Sequence, residues 1–183
     1  PTPTGTGPAR APAFTDGPAH YALMTTLNTN YRTEIWKCTT TCGTNSNWAK
    51  KLDVNSGQAA QFMIQEMMGV TSGLAVVYTA EGGANTVSVQ TSGNGGDTWA
   101  SAVVSSNSYN APESGGVPIG DTIYYCGRQG TTQLTLAKFT YGGASWTETA
   151  IVTGNRSNCV METDNSSVLV ALTSTATSQD YLT

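Results

Sequence analysis

The sequence predicts an all-β chain built from repeated four-stranded units, on three observations. First, Thr and Ser make up about a quarter of the residues, Gly is abundant, and apolar positions alternate rather than recur at helical spacing. Second, Trp48, Trp99 and Trp146 recur at a period of about 48 residues, each directly after a turn rich in Gly, Asn or Ser. Third, an apolar strand lies about 21 residues before each of these tryptophans. A repeat of 40–50 residues containing four strands is the pattern of a propeller blade. The expected architecture is a β-propeller of about three and a half blades, part of a larger propeller or completed by a neighbour. The blades run approximately over 11–57, 58–106, 107–156 and an incomplete 157–183.

The Pro- and Thr-rich residues 1–10 read as a linker or the start of a processed chain, leaving 11–183 as the propeller portion. In the first repeat Tyr21–Met24 is the apolar strand, and Thr41–Asn47 is the turn before Trp48. The second repeat opens on Gln58–Met68, helical by propensity but an inner strand by register. Leu74–Tyr78 and the alternating Asn85–Thr91 follow, then a Gly/Asn turn and the short strand Ala100–Val104, which together read as a hairpin. The third repeat has Thr122–Cys126 as its apolar strand and Tyr141–Ser145 before Trp146. The fourth shows Val168–Leu172 and ends inside its third strand. Thr15-Asp16 and Thr163-Asp164 lead through equivalent polar turns into the apolar strands of the first and last copies. A β-sandwich would explain short strands and frequent turns, but neither the repeated Thr-Asp turn nor the common phase of the tryptophans.

The turn of the second repeat is the best preserved, Ser92-Gly93-Asn94-Gly95-Gly96-Asp97-Thr98-Trp99. Gly supplies positive φ, Asn can accept backbone N–H groups inside the turn, and Trp99 offers the returning strand a large apolar face. This stretch resembles the Asp box of sialidase-like β-propellers, the BNR repeat, Ser-x-Asp-x-Gly-x-Thr-Trp. Ser92, Gly96, Thr98 and Trp99 match, and Asn94 stands where the box has Asp, keeping an acceptor without the charge. The turns before Trp48 and Trp146 are decayed versions. The resemblance implies a box that serves folding, away from any catalytic centre.

It also implies where a sialidase site would be sought: three arginines holding a carboxylate, a Tyr–Glu nucleophile pair and an Asp acid/base. The nearest match to the family's Phe/Tyr-Arg-Ile-Pro motif is Tyr31-Arg32-Thr33-Glu34, which lacks the Ile and Pro and precedes the Trp48 turn, the wrong strand for that role. Arg10 lies in the linker, Arg156 in a loop, and Arg128 follows the Tyr124-Tyr125 pair. The nearest acid to that pair in sequence is Asp121. Glu34, Glu66, Glu81, Glu113 and Glu162 are carboxylates whose pairing sequence distance cannot establish. With His20 the only histidine, a His-based triad is disfavoured, and no nucleophile elbow or phosphate loop appears.

Charged residues are only 11%, the net charge is −4 and the cations are scattered, so a nucleic-acid partner is not expected. No apolar run approaches the ~20 residues of a membrane helix. Cys38, Cys42, Cys126 and Cys159 form an even set in a charge-poor chain, which points to an oxidising compartment and leaves three pairings open. Cys126 and Cys159 fall on inner strands of successive repeats and are candidates to pair. Four extended residues span about 13 Å, so Cys38 and Cys42 can bridge only across a turn. One histidine and no Cys-x-x-Cys pair make a metal site unexpected, and no cofactor is implied. Asn155 and Asn165 open Asn-x-Ser sequons in expected loops.

The expected function is a secreted or surface-exposed, non-catalytic Asp-box module that binds a glycan or protein, including further copies of itself. A sialidase-like glycoside hydrolase with catalytic residues outside this segment, and a repeat subunit of an extracellular fibre, are the alternatives.

Overall fold

The computed structural model describes residues 13–26, 32–54, 61–81, 86–109, 116–129, 133–153, 156–164, 166–174 and 179–182. These residues fold as strands, with a single 3-10 turn at Asn45–Asn47 as the only helical element among them.

The strands fall into consecutive antiparallel meanders. β1 (Ala13–Asp16), β2 (Ala19–Thr26), β3 (Arg32–Cys38) and β4 (Ala49–Asp53) pair in chain order as the first sheet. β5 (Gln61–Val70), β6 (Gly73–Glu81), β7 (Thr86–Ser92) and β8 (Val103–Ser108) form the second. β9 (Val117–Ile119), β10 (Thr122–Gln129), β11 (Gln133–Thr140) and β12 (Thr147–Thr153) form the third. β13 (Arg156–Thr163), β14 (Val168–Ser174) and β15 (Gln179–Leu182) form a fourth, three-stranded sheet. Gln61–Val70 is thus a strand despite its helix-forming composition. Pairing with β6 and burial of both Met67 and Met68 override propensity there.

The first strands of successive sheets lie side by side, β1 against β5, β5 against β9 and β9 against β13. The central strand β6 is covered on both faces. Along β6, Leu74, Val76 and Tyr78 enter a core shared with the first sheet, together with Tyr21, Leu23 and Ile35. Ala75 and Val77 enter a second core, shared with Ile123 and Tyr125 of the third sheet. Strand alternation sends neighbouring residues to opposite cores, and so Leu74–Tyr78 reads as one continuous apolar run. Leu74, Val76 and Val77 each contribute about 1.5–3 kcal/mol on burial.

The tryptophans keep one topological place, between the third and fourth strands of their sheets, but their settings differ. Trp48 and Trp146 directly precede β4 and β12, whereas β8 begins only at Val103. The expectation that Trp99 opens an outer strand is corrected here. Ala100 N donates to Thr91 O (2.8 Å) and Gln90 Nε2 to Ala100 O (2.8 Å), holding the chain after Trp99 in a loop before the ladder resumes.

The cysteines form two disulfides, Cys38–Cys42 and Cys126–Cys159. The chain turns directly after β3, bringing the Cα atoms of Cys38 and Cys42 to 5.8 Å. Cys126 on β10 and Cys159 on β13 tie the third sheet to the fourth. Two disulfides are in keeping with an oxidising environment. No helix among the described residues is long and apolar enough to cross a membrane.

Candidate functional site

The turn at 92–99 is a closed hydrogen-bond unit. Ser92 Oγ accepts from Gly96 N (2.8 Å) and donates to Asn94 Oδ1 (2.9 Å). Asn94 Oδ1 also accepts from Thr98 N (3.0 Å), while its Nδ2 donates to Thr98 Oγ1 (2.9 Å). Gly95 and Gly96 have φ of 62° and 74°. A Cβ on Gly96 would sit 2.9 Å from Tyr21 Cε1, so glycine is required both by conformation and by close approach. Asn94→Asp keeps both acceptor contacts and lets the Thr98 hydroxyl rotate to donate. It is expected to change stability by under about 0.5 kcal/mol, and Asn94→Ala to cost about 1–2 kcal/mol, in equilibrium urea unfolding.

This turn docks on the first sheet. Tyr21 Oη and Lys37 Nζ both donate to Gly95 O, at 2.8 and 2.6 Å. Asp97 bridges Lys37 (3.1 Å) and Lys51 (2.9 Å), and those two ammonium groups, Lys51 first, hold its carboxyl below the usual range. Trp99 packs on the core between the first two sheets, although its buried Nε1 finds no partner among the described residues. The turn thus ties the second sheet to the first.

The third sheet repeats the device with different residues. Trp146 Nε1 donates to Val103 O (3.0 Å) on β8. Glu148, on the same strand face, receives Tyr109 Oη (2.6 Å), Ser106 N (3.2 Å), Asn107 N (3.3 Å) and the Ser106 hydroxyl. Sequence reading missed Glu148; its signal was the i, i+2 spacing to Trp146, which puts both side chains toward the preceding sheet. By contrast, Trp48 Nε1 bonds Cys42 O (2.8 Å) within its own loop.

Tyr109–Glu148 has the composition of a Tyr–carboxylate nucleophile pair but the opposite electrostatics. Tyr109 is 1% exposed. Burial, and then the adjacent Glu148 carboxylate, push its phenol far above the ordinary value, so it stays a protonated donor. Burial alone would raise Glu148, but the hydrogen bonds from Ser106, Tyr109 and Asn107 outweigh that and hold it below the usual range. A depressed folded-state pKa stabilises above the unfolded value, and that contribution is lost as pH falls through the folded one. Glu148→Gln is therefore expected to cost about 1–2 kcal/mol at neutral pH, discounted because the group is partly solvated. Urea midpoints should show the gap between wild type and variant closing below about pH 4.

Of the arginines, Arg128 alone has a described side chain; it is half-buried near the end of β10, with its Nε unpartnered among the described residues. Asp121 is committed elsewhere, accepting from Ser72 N and Ser72 Oγ (both 2.7 Å). It caps the β5–β6 turn and is not aimed at the Tyr124-Tyr125 pair. Glu34 is buried and accepts from Trp36 Nε1 (2.9 Å) and Lys50 Nζ (3.1 Å). Glu113, Asn155 and Asn165 lie outside the described residues, as do the side chains of Arg32, Glu81 and Arg156.

The structure does bring two of the named carboxylates together. Glu66 and Glu162 line one shallow cavity of about 310 Å³ with Met68, Val117, Pro118 and Met161, where β5, β9 and β13 meet. Glu66 is half-buried, and desolvation raises its carboxyl above the usual range. Gly116 at the cavity wall lets Met68 cross, since a Cβ there would lie 2.8 Å from Met68 Cε. No group of three or more His, Cys, Asp or Glu among the described residues could hold a metal ion.

No protein-family model matches the chain, and no curated protein does. Among solved structures it is similar to a chain from a study of two prolyl endopeptidases and their inter-domain dynamics in catalysis and specificity. The TM-score is 0.56 at 13% identity, over 91% of this chain and 24% of that one. At that identity the likeness concerns fold alone, and the fold is all-β and β-propeller-like.

Proposed function

We propose that the chain is an Asp-box β-propeller, or a portion of one, acting outside the cell or at its surface as a non-catalytic module. Its sheets are the blades, three four-stranded and a fourth with three described strands, and its ligand is a glycan or a protein. One observation carries this reading. Three carboxylates that a hydrolase could draw on are engaged in architecture: Glu148 on the second sheet, Asp121 on the β5–β6 turn, Glu34 on Trp36 and Lys50. Among the described residues the cavity at the first strands presents carboxylates and thioethers and no lysine or arginine, which does not favour a sialoside carboxylate, since that wants bidentate Arg. Two disulfides support an extracellular setting.

The test is turnover of a fluorogenic sialoside by the purified chain and by Arg32→Ala and Arg128→Ala. All three are expected at background. Turnover in the parent chain that vanishes in either variant would replace the module reading with a hydrolase.

A further inference from the structure

The turn at 92–99 carries the chemistry for its own covalent modification. Asn94-Gly95 is the single Asn-Gly pair in the sequence, and every other asparagine precedes a residue whose side chain crowds the amide nitrogen after it. Asn94 is exposed to water. Gly96 N is engaged by Ser92 Oγ at 2.8 Å, whereas Gly95 N makes no hydrogen bond among the described residues. A nucleophilic nitrogen without a side chain over it therefore lies next to the Asn94 carboxamide.

That carboxamide is polarised. Asn94 Oδ1 receives the Ser92 hydroxyl (2.9 Å) and Thr98 N (3.0 Å). Two fixed donors on a carbonyl oxygen stabilise the negative charge that builds there when its carbon is attacked. Nδ2, the nitrogen that must leave, rests on Thr98 Oγ1 (2.9 Å), a hydroxyl free to rotate toward it.

The reaction is a cyclisation followed by hydrolysis. Gly95 N gives its proton to water and bonds to Asn94 Cγ, the Cγ–Nδ2 bond breaks, and the nitrogen takes up a proton and leaves as ammonia. Water then opens the resulting succinimide at one of its two carbonyls. Attack at Cγ breaks the new bond and restores the main chain with a carboxylate at position 94. Attack at the main-chain carbonyl leaves isoaspartate. In either case carboxamide and water become carboxylate and ammonium.

The turn favours attack at Cγ. Its two donors sit on the side-chain oxygen. Isoaspartate would also add a methylene to the main chain just before Gly95, whose carbonyl is pinned to the first sheet by Tyr21 Oη and Lys37 Nζ. Aspartate leaves the main-chain path as it is and keeps the acceptor for Thr98 N. Its added charge falls in a turn that already engages Lys37 and Lys51 through Asp97.

We propose that Asn94 is a site of spontaneous deamidation whose main product in the folded chain is aspartate, the residue that the Asp box carries there. The inference is independent of whether the chain is a binding module or a hydrolase.

The experiment incubates the purified chain at mildly alkaline pH, folded in buffer and unfolded in urea. Peptide mapping follows the mass gain at each asparagine and separates aspartate from isoaspartate, with Asn94→Asp as the standard. In the folded chain the gain is expected at Asn94 ahead of every other asparagine, with aspartate in excess. In urea isoaspartate is expected in excess, because the main-chain carbonyl is the more reactive of the two once the donors are gone. Ser92→Ala, which removes one donor from Oδ1, is expected to slow conversion in the folded state at least about tenfold and to move the product toward isoaspartate. A merely structural role for Ser92 predicts the opposite, since a loosened turn would convert faster. The comparison of folded and unfolded parent chain decides the proposal even if Ser92→Ala does not fold. No gain at Asn94 in the folded chain, the same product ratio folded and unfolded, or faster conversion in folded Ser92→Ala would overturn it.

Discussion

Trp146→Ala is expected to lower stability by about 3–5 kcal/mol, the cost of truncating a large aromatic side chain in a packed core. Trp146 is 8% exposed and its ring lies 5.6 Å from that of Phe139 on its own sheet. Its Nε1 supplies the Val103 carbonyl of the neighbouring sheet, so the variant loses packing and orphans an acceptor together. The loss is comparable to the whole stability of many domains, so the variant should sit close to unfolding at ambient temperature. A urea series with unchanged slope and a much lower midpoint is the expected result. Trp48→Ala provides the internal comparison. Trp48 is half-buried and, among the described residues, bonds within its own loop, so about 1 kcal/mol is expected there. A Trp146→Ala loss below about 1 kcal/mol would show that the second and third sheets do not depend on this anchor.

That contrast shows how much of the fold could be read from the chain. The period of the tryptophans located the turns between third and fourth strands because each turn needs Gly or Asn chemistry that composition displays. Ser92, Asn94, Gly96 and Thr98 are legible for the same reason, since their partners lie within four residues. Their docking was not legible. Lys37 with Asp97, and Tyr21 with Gly95, meet across distant positions, and no local rule pairs them. The failure at Trp99 has a similar origin. Where β8 resumes depends on Gln90 and Thr91 holding Ala100, a contact made by the opposing strand.

The candidate site was legible in its components and opaque in its grouping. Glu66 and Glu162 were visible as carboxylates on strands, but their approach depends on β5, β9 and β13 converging. Glu148 escaped notice because its chemistry is spread over a strand end, Ser106, Asn107 and Tyr109, that belongs to the preceding sheet. Asp121 misleads a reader of the sequence in the other direction. Its closeness to Tyr124 and Tyr125 along the chain suggests a pair, while alternation and the turn send it to Ser72.

Removing the Cys126–Cys159 disulfide with the double variant Cys126→Ala/Cys159→Ala is expected to cost about 4 kcal/mol. The bond closes a loop with a sequence separation of 33, and the chain-entropy model makes the stabilisation grow with the logarithm of loop length. The same model gives about 2 kcal/mol for Cys38–Cys42, whose separation is 4. The two sites differ in setting as well. Cys126 and Cys159 are both buried, at 0% and 1% exposed, within the core that joins the second, third and fourth sheets. Cys42 is half-buried in a turn at the end of β3. Thermal unfolding of each double variant, with and without reductant, separates the contributions, and amide exchange should show β13 and β14 losing protection first in the Cys126/Cys159 variant. Equal losses at the two sites, or uniform exchange across all four sheets, would mean that the bond does not act as the covalent tie between the third and fourth sheets.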